Sequence, residues 1–436
     1  MKTVLIAVIG LFVFNGAAGY AQDFAGADFY EALRSAREER KPAAGAPAVQ
    51  PVIVNFSAED AQPAPLKDWT VMVFVNGKNN LEGDALADIN EMESVGSTEG
   101  MNVIVELGQM SSNRLTRYFV TRDTDTARIS SRVLGNAEAV DMGDPASVKE
   151  FVLWAESRYP ARKFMLILWD HGSGWIKGNP VTRQGSSSKG ISDDWTTGHN
   201  IDTPQLGRLL REIEGSGGRV DLLGMDACLM QVAEVAYELK DTRVSHIAAS
   251  EEVEPGSGYP YDRWLRGLAR NTGMGAAELG TLVAREYLAA NPDGFRGKGL
   301  TYSVIELAQM RGLARKMDAL ARAAMAANDK AAVLRARAEA TRYTFADNKD
   351  LRRFAQLLMQ HSSNAEVKAA AAELERALEP GAGPVVFSGV SSNRTTLSHG
   401  LAAYVPENDA DINGYTELQL SADTQWDEFV NWLLRP

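Results

Sequence analysis

The chain has 436 residues, 45% hydrophobic and 23% charged, which is the composition of a folded protein rather than a disordered one. Its length suggests two or three domain-sized units with a substantial buried core. The formal net charge of −12 would repel a phosphate backbone, and no basic stripe or zinc-finger spacing offsets it, so nucleic acid is excluded as an expected partner.

The start of the chain has the pattern of a secretory signal. Lys2 supplies a positive charge, residues 4–14 form a short apolar core, and residues 19–21 (G-Y-A) offer a small-x-small cleavage site. The apolar core is too short for a stable membrane span. We therefore expect a secreted, periplasmic or cell-surface protein with no stable membrane span after signal removal; an uncleaved anchor is the alternative.

The rest of the chain divides into three predicted regions after a signal peptide at residues 1–21. Residues 22–67 are rich in Ala and Pro, as is typical of a pro-segment or linker. Residues 68–270 form the predicted catalytic domain. Residues 271–436 contain long Ala- and Arg-rich helical stretches with a few strand candidates, which predicts a mixed α+β region.

Apolar runs alternate with helical stretches through the predicted catalytic domain. The first run, W-T-V-M-V-F-V, is followed by polar N-G-K-N-N and a helical stretch, and further runs begin near residues 101, 163, 220 and 244. Continuous apolar strands separated by helices indicate a mostly parallel sheet covered on both faces. The sequence therefore predicts an α/β fold.

Two motifs place chemistry at the ends of predicted strands. His171 lies in L-I-L-W-D-H-G-S-G-W, just past an apolar run, and Cys228, the only cysteine, follows another run in D-L-L-G-M-D-A-C-L-M before a helix predicted at residues 229–240. Burial alone would explain a free cysteine, and a lone histidine could simply bond its own loop. Because ligands bind at the carboxyl edge of open α/β sheets, the two residues together indicate a Cys–His site.

These motifs resemble those of the clostripain-like cysteine peptidases, which share the caspase-like fold with gingipains, legumains and caspases. The resemblance runs from about residue 69 to the end and includes A-S-E-E-V-E-P-G-S-G-Y-P-Y, G-L-A-A-Y-V-P and W-D-E-F-V. It implies that Cys228 is the nucleophile and that His171 is the acid–base that assists the leaving amine. It also implies an oxyanion hole formed by the amides of Gly172 and Cys228, and cleavage of peptide or protein substrates after Arg or Lys.

A pocket for Arg or Lys needs a buried carboxylate, because a desolvated cation without a partner is very costly. Asp226 matches the family's pocket aspartate. A neighbouring strand ends in a group of glutamates, of which Glu251 and Glu252 are predicted to bind substrate, with Glu254 a further candidate; a solvated loop is the alternative. A carboxylate near Cys228 should raise its thiol pKa, which the histidine and a helix start would have to offset.

A polar Gly- and Ser-rich loop between the motifs contains three basic residues, Lys177, Arg183 and Lys189. Such a loop is an easy proteolysis site, and the resemblance implies activation by self-cleavage in this region. We predict cleavage after Arg183 or Lys189, with Lys177 a third candidate; a loop that is never cut is the alternative.

No cofactor is expected to be required, and no metal site is predicted. D-A-D-I-N-G at residues 409–414 opens like a calcium loop, but its twelfth position is Leu420 instead of a bidentate Glu, so we predict a turn. Calcium stays open because some members of the family use it. His399 is the main rival base, whereas the other histidines are predicted to be structural or solvated.

Two other functions stay open at this point. One is a non-catalytic caspase-like surface or binding protein, and the other is a Cys–His amidase or transpeptidase. Acylation of Cys228 by peptides would separate the first from an enzyme. Release of a new terminus after a basic residue would separate the second from a peptidase.

Overall fold

The computed structural model describes residues 63–177, 189–295, 299–391, 397–407 and 412–435, all of which belong to one compact unit, Gln50–Pro436. The strands of the described residues are β1 (Lys67–Gly77), β2 (Met101–Gln109), β3 (Arg114–Phe119), β4 (Arg132–Glu138), β5 (Ala161–Trp169), β6 (Gly172–Lys177), β7 (Lys189–Asp194), β8 (His199–Ile201), β9 (Leu222–Asp226), β10 (His246–Ala249), β11 (Thr301–Glu306), β12 (Asn348–Asp350), β13 (Val385–Val390) and β14 (Ala402–Tyr404).

The α-helices of the same residues are α1 (Glu82–Glu93), α2 (Pro145–Arg158), α3 (Thr203–Gly215), α4 (Ala233–Glu238), α5 (Tyr261–Arg270), α6 (Ala276–Ala290), α7 (Met310–Ala326), α8 (Lys330–Glu339), α9 (Leu351–His361), α10 (Ala365–Ala377), α11 (Ile412–Tyr415), α12 (Gln419–Asp423) and α13 (Trp426–Leu434).

A nine-stranded sheet organises the described residues, with strand order β13-β11-β10-β9-β5-β1-β2-β3-β4. Its five central strands, from β10 to β2, run parallel to one another. Antiparallel strands extend it on both sides. The mostly parallel sheet flanked by helices is the α/β fold predicted from the alternation of apolar runs and helical stretches.

Both faces of the sheet are buried, which explains why its central strands are continuous apolar runs. Successive side chains of a strand point to opposite faces, so Met72 and Phe74 of β1 enter one core whereas Val71 and Val73 enter the other. Each fully buried aliphatic side chain contributes roughly 1.5–3 kcal/mol of transfer free energy. The sheet is therefore a rigid base for the loops at its edge.

Local helix signals behave as the sequence predicts. Pro145 occupies the first turn of α2, and the Asp144 side chain accepts a hydrogen bond from the Ala146 amide. Helix α3 begins with a reciprocal capping box between Asp202 and Gln205. These caps satisfy amides that a helix start leaves without intrahelical partners.

Two local expectations are wrong. The helix predicted at residues 229–240 begins only at Ala233, because Leu229 has a positive φ of 64° and the amides of Leu229 and Gln231 bond to the carbonyls of Glu252 and Ser250. The first residues of the predicted Gly- and Ser-rich loop belong to β6 and its last residues belong to β7. These two strands join β8 in a separate three-stranded sheet.

Candidate active site

The loops that carry His171 and Cys228 leave adjacent parallel strands at the same level. Trp169, the last residue of β5, pairs with Asp226, the last residue of β9. Each predicted catalytic residue therefore follows its strand end by two residues. Gly172 lies directly against the Cys228 turn: a Cβ added to it would meet the Ala227 Cβ at 2.9 Å and the Cys228 amide nitrogen at 3.1 Å. The two amides predicted for the oxyanion hole are thus neighbours, and the absence of a side chain at Gly172 permits the approach.

The imidazole of His171 is held on two sides. Its Nε2 lies 2.8 Å from the Oδ1 of Asn80, and its ring stacks on the indole of Trp195, with centroids 6.1 Å apart and planes inclined by 10°. Burial lowers the pKa of His171 to about 4, because desolvation disfavours the imidazolium. The imidazole is accordingly neutral near neutral pH.

A buried polar network supports this side of the site. The carboxylate of Asp170 accepts hydrogen bonds from Asn76 at 3.1 Å, from Asn79 at 2.5 Å and from the Asp193 amide at 2.5 Å. Burial raises the pKa of Asp170 well above its usual value, and the neighbouring Asp193 adds to the shift. The network ties the loop after β1 to the loop before His171. Asn76 and Asn79 belong to the polar run N-G-K-N-N after the first apolar run, but polar composition alone does not predict a role for them.

The side chain of Cys228 is partly buried, and its surroundings disfavour the thiolate form. Burial raises the pKa of Cys228 to about 11, and the charges of Glu252 and Asp226 add to the increase. The Glu254 amide lies 3.3 Å from the sulfur and opposes the shift by donating to it. The expected compensation by a helix start is absent, since α4 begins five residues after Cys228.

Asp226, two residues before Cys228, is buried. Its Oδ2 accepts hydrogen bonds from the Tyr261 hydroxyl at 2.9 Å and from the Tyr259 amide at 3.2 Å. Burial raises its pKa to about 6. Both carboxylate oxygens of Glu254 are buried without an amide or hydroxyl donor and share a hydrogen bond with Asp226. Burial together with the Asp226 charge raises the pKa of Glu254 well above its usual value.

The two glutamates predicted to bind substrate are engaged elsewhere. Glu251 accepts a hydrogen bond from the Ser303 hydroxyl at 2.7 Å, and burial raises its pKa to about 7. Both oxygens of Glu252 lie 3.0 Å from the Thr344 amide, and one also accepts from the Val253 amide. Among these glutamates, Glu254 is the one whose carboxyl group faces another carboxyl group, that of Asp226, instead of an amide or hydroxyl donor.

One face of α1 adds further carboxylates near Asp226. Asp84, Asp88 and Glu91 follow one another at helical spacing, and Asp88 accepts a hydrogen bond from the Trp169 indole. A Cβ at Gly258 would lie 2.9 Å from an oxygen of Asp226 and 3.2 Å from one of Asp88. In the described part of the chain, no Lys or Arg forms an ion pair with Asp226, Glu254 or these three residues. Apart from Arg263, whose charge opposes the raised pKa of Glu91, the site holds a concentration of carboxylates without a paired base among the described residues.

The rival base His399 has a structural partner. Its Nδ1 lies 2.9 Å from the Oδ1 of Asp350, the residue that caps α9 through the Arg353 amide. The calcium-like sequence includes residues 408–411, which lie outside the described residues. Among the described residues, no group of three or more His, Cys, Asp or Glu side chains is arranged so that it could hold a metal ion, and the expectation about cofactors stays a prediction.

Two of the three self-cleavage candidates belong to strands β6 and β7. Lys177 ends β6 and Lys189 begins β7, and the two residues pair in antiparallel register. Arg183 lies outside the described residues. Residues 1–21, the predicted signal, are also outside them. No helix in the described ranges is long and apolar enough to cross a bilayer.

Comparison with known proteins identifies the class. The model of the Clostripain family matches residues 73–432, most of the chain. The chain therefore belongs to the clostripain family of cysteine peptidases. Clostripain of Hathewaya histolytica is 29% identical over 219 residues, which cover 44% of this chain and 41% of clostripain, so the match spans less than half of that relative.

Solved structures show the same fold. A secreted C11 cysteine protease from Bacteroides thetaiotaomicron, in complex with an irreversible peptide inhibitor, has a TM-score of 0.60 and 20% identity, with 84% of this chain and 99% of that chain covered. An inactive zymogen C11 protease from Parabacteroides distasonis has a TM-score of 0.62 and 18% identity, with 83% and 99% covered. These likenesses confirm the predicted mostly parallel sheet flanked by helices.

Proposed function

We propose that this protein is a secreted cysteine endopeptidase that cleaves after Arg or Lys through Cys228 and His171. The observation that carries the proposal is the juxtaposition of the two loops at the ends of β5 and β9, beside buried carboxylates that have no counter-charge. Membership of the clostripain family supports the reaction class.

The reaction proceeds through an acyl-enzyme. The Cys228 sulfur attacks the scissile carbonyl carbon while the thiol proton passes to the imidazole of His171. The carbonyl oxygen becomes an oxyanion within reach of the Gly172 and Cys228 amides. The C–N bond then breaks as His171 delivers the proton to the leaving amine. Water hydrolyses the thioester, releasing the carboxylic acid and restoring the thiol.

A neutral thiol and a neutral imidazole fit this sequence of steps. The raised pKa of Cys228, about 11, and the lowered pKa of His171, about 4, mean that the resting pair is uncharged at neutral pH. The proton transfer accompanies attack instead of preceding it. Substrate binding also places a positive charge beside Asp226, which relieves one of the charges that disfavour a thiolate.

The basic side chain of the substrate binds in the pocket of Asp226 and Glu254. A guanidinium or ammonium group supplies the donors that the Glu254 oxygens lack and neutralises a carboxylate whose burial raises its pKa. The acidic face of α1 adds long-range attraction for basic peptides, which salt will weaken. Glu254 is therefore a better candidate for the second pocket carboxylate than Glu251 or Glu252.

The proposal includes export and self-activation. Export is supported by the signal pattern of residues 1–21. Self-cleavage after Arg183, Lys189 or Lys177 is supported by the composition of the segment between the two strands. Clostripain and one structural neighbour described as an inactive zymogen belong to the same class of protein.

The test compares the purified chain with Cys228→Ala and His171→Ala, and with His399→Ala as the matched control for histidine removal. Fluorogenic peptides ending in Arg, Lys, Asp or Ala serve as substrates. We expect the unmodified chain to turn over the Arg or Lys peptides and Cys228→Ala to turn over none. His171→Ala should lose about 100- to 10,000-fold in kcat, whereas His399→Ala should show no such loss. No turnover by a folded, loop-cleaved protein would favour a non-catalytic binding protein, and transfer to an added amine without hydrolysis would favour a transpeptidase.

A further inference from the structure

Asn80 contacts His171 from a different element of the sheet. It follows β1, the strand that pairs with β5 on the side away from β9, and its Oδ1 lies 2.8 Å from the Nε2 of His171. An amide oxygen can only accept, so this contact requires the proton on Nε2. In the described part of the chain, the imidazole of His171 forms its side-chain hydrogen bond through Nε2, which leaves Nδ1 able to accept a proton.

The loop that carries Asn80 is itself anchored. The preceding Asn79 donates to Asp170, and its Oδ1 accepts from the Leu81 amide at 2.8 Å. Lys78 accepts a hydrogen bond from the Trp195 amide at 2.9 Å through its carbonyl oxygen. The position of Asn80 is thus determined by neighbours on both sides in the sequence.

The opposite constraint on His171 comes from Trp195. Its indole stacks on the imidazole, and its Nε1 donates to Asp193 at 3.0 Å. Stacking limits tilting of the ring, whereas the bond to Asn80 limits rotation within the ring plane. Two separate loops therefore define one orientation of the imidazole.

Resting on the proposed function, we infer that Asn80 is a positioning residue: its side-chain oxygen holds His171 in the tautomer with the proton on Nε2 and so presents Nδ1 to Cys228 and the leaving amine. When Nδ1 takes the thiol proton, the bond from Nε2 to Asn80 becomes charge-assisted and stronger. Asn80 thereby stabilises the imidazolium that forms during the reaction, although it never touches the substrate.

The first experiment compares Asn80→Ala and Asn80→Asp with the matched control Asn431→Ala on α13. Each variant is assayed on an Arg amide and on an Arg ester with an activated phenol, whose leaving group needs no proton. Asn80→Ala should lower kcat on the amide by about 10- to 100-fold with KM within about twofold. It should also lower kcat on the ester, because His171 must still take the thiol proton, but by a smaller factor, since the leaving group of the ester needs no proton. Asn80→Asp, which keeps the acceptor and adds a charge, should retain more activity and move the acid limb of kcat to higher pH. Asn431→Ala should leave both substrates unchanged.

The second experiment does not need activity. Nitrogen-15 histidine spectra of the Cys228→Ala chain report the tautomer of His171, which should carry its proton on Nε2 and become a mixture when Asn80→Ala is added. Either an unchanged kcat on the amide or a tautomer that does not respond to Asn80 would overturn the inference. Absence of peptidase activity together with a tautomer that does respond would overturn the proposed function while leaving the positioning role intact.

Discussion

At the residue scale, the glutamates after β10 differ in what their carboxylates contact. Glu251 is bonded to Ser303 and Glu252 to the Thr344 amide, whereas the Glu254 oxygens are buried without donors. A buried carboxylate without a donor is unfavourable unless a ligand supplies one. Such a group is accordingly a sensitive reporter of the proposed cationic substrate.

The contrast leads to a matched pair of variants. Glu254→Gln should raise KM for an Arg peptide by about tenfold, because a charge-assisted contact is replaced by a neutral one. Glu251→Gln should change KM by less than about twofold, since its carboxylate faces Ser303. Steady-state kinetics of both variants would measure the two KM values. A larger effect of Glu251→Gln than of Glu254→Gln would contradict the proposed role of Glu254.

The pocket should also respond to pH. Burial raises the pKa of Asp226 to about 6, so in the free protein this carboxylate takes up a proton as the pH falls through that value. A neutral acid cannot pair with a cation, so KM for an Arg peptide should rise below pH 6, by up to about tenfold per pH unit. Measurement of KM from pH 4.5 to 8 tests this, and Asp226→Asn should have a high KM that no longer varies. A KM that stays flat for the unmodified protein would contradict the proposed role of Asp226.

At the scale of elements, β6 and β7 limit where self-cleavage can occur. Lys177 and Lys189 belong to paired strands, and a peptidase binds its substrate as an extended segment whose backbone must be free. Cutting at either residue would require this pairing to open first. Among the three predicted positions, the pairing disfavours these two.

We therefore expect Arg183 to be the main site. Arg183→Ala should slow the conversion of the intact chain by at least about tenfold, whereas Lys189→Ala should convert at the normal rate. Mass spectrometry of the fragments would identify Gln184 as the new first residue of the second fragment. Cys228→Ala, incubated alone, should remain intact, and its cleavage at the same position would indicate a contaminating peptidase.

At the scale of the whole molecule, buried carboxyl groups link stability to pH. Burial raises the pKa of Glu106, Glu156 and Glu251 each to about 7, so between their usual value of 4.5 and 7 the folded chain holds protons that the unfolded chain has released. The free energy of unfolding contributed by these groups falls as the pH rises through this window. His171 and His246 act in the opposite direction, because burial lowers the pKa of each, that of His171 to about 4, but they are two groups against several carboxyl groups.

The expected result is a thermal midpoint about 5 °C higher at pH 6 than at pH 8 for the Cys228→Ala chain, which avoids self-digestion. Adding Glu251→Gln should reduce the difference, since one of the titrating groups is removed. Calorimetry at several pH values measures both. A midpoint that rises toward pH 8 would mean that the histidine contribution, or charged pairs on the surface, outweighs the buried carboxyl groups.

Much of the fold was predictable because burial on both faces of a parallel sheet leaves a plain trace in the chain. The apolar runs at β1, β5 and β9 predicted these strands, and Pro145 marked the first turn of α2. The helix predicted at residues 229–240 failed because a tertiary contact won over local periodicity: the amides after Cys228 bond to the loop after β10. The strands β6 and β7 were missed because a Gly- and Ser-rich composition carries no strand signal.

The placement of His171 and Cys228 at one edge of the sheet was predictable from the chain, since two apolar runs each followed by a reactive side chain imply a shared sheet edge. The surroundings of that pair were not. Asn80 and Trp195 are brought to the site by strand order and loop path, and neither has a local pattern that distinguishes it from an ordinary polar or aromatic surface residue. Glu254 was one of three candidate glutamates, and only its tertiary contacts separate it from Glu251 and Glu252. Hydrophobic periodicity is a property of neighbouring residues and survives in one dimension. Hydrogen bonding, desolvation and charge at the site depend on which distant loops meet, and only the packed sheet specifies that.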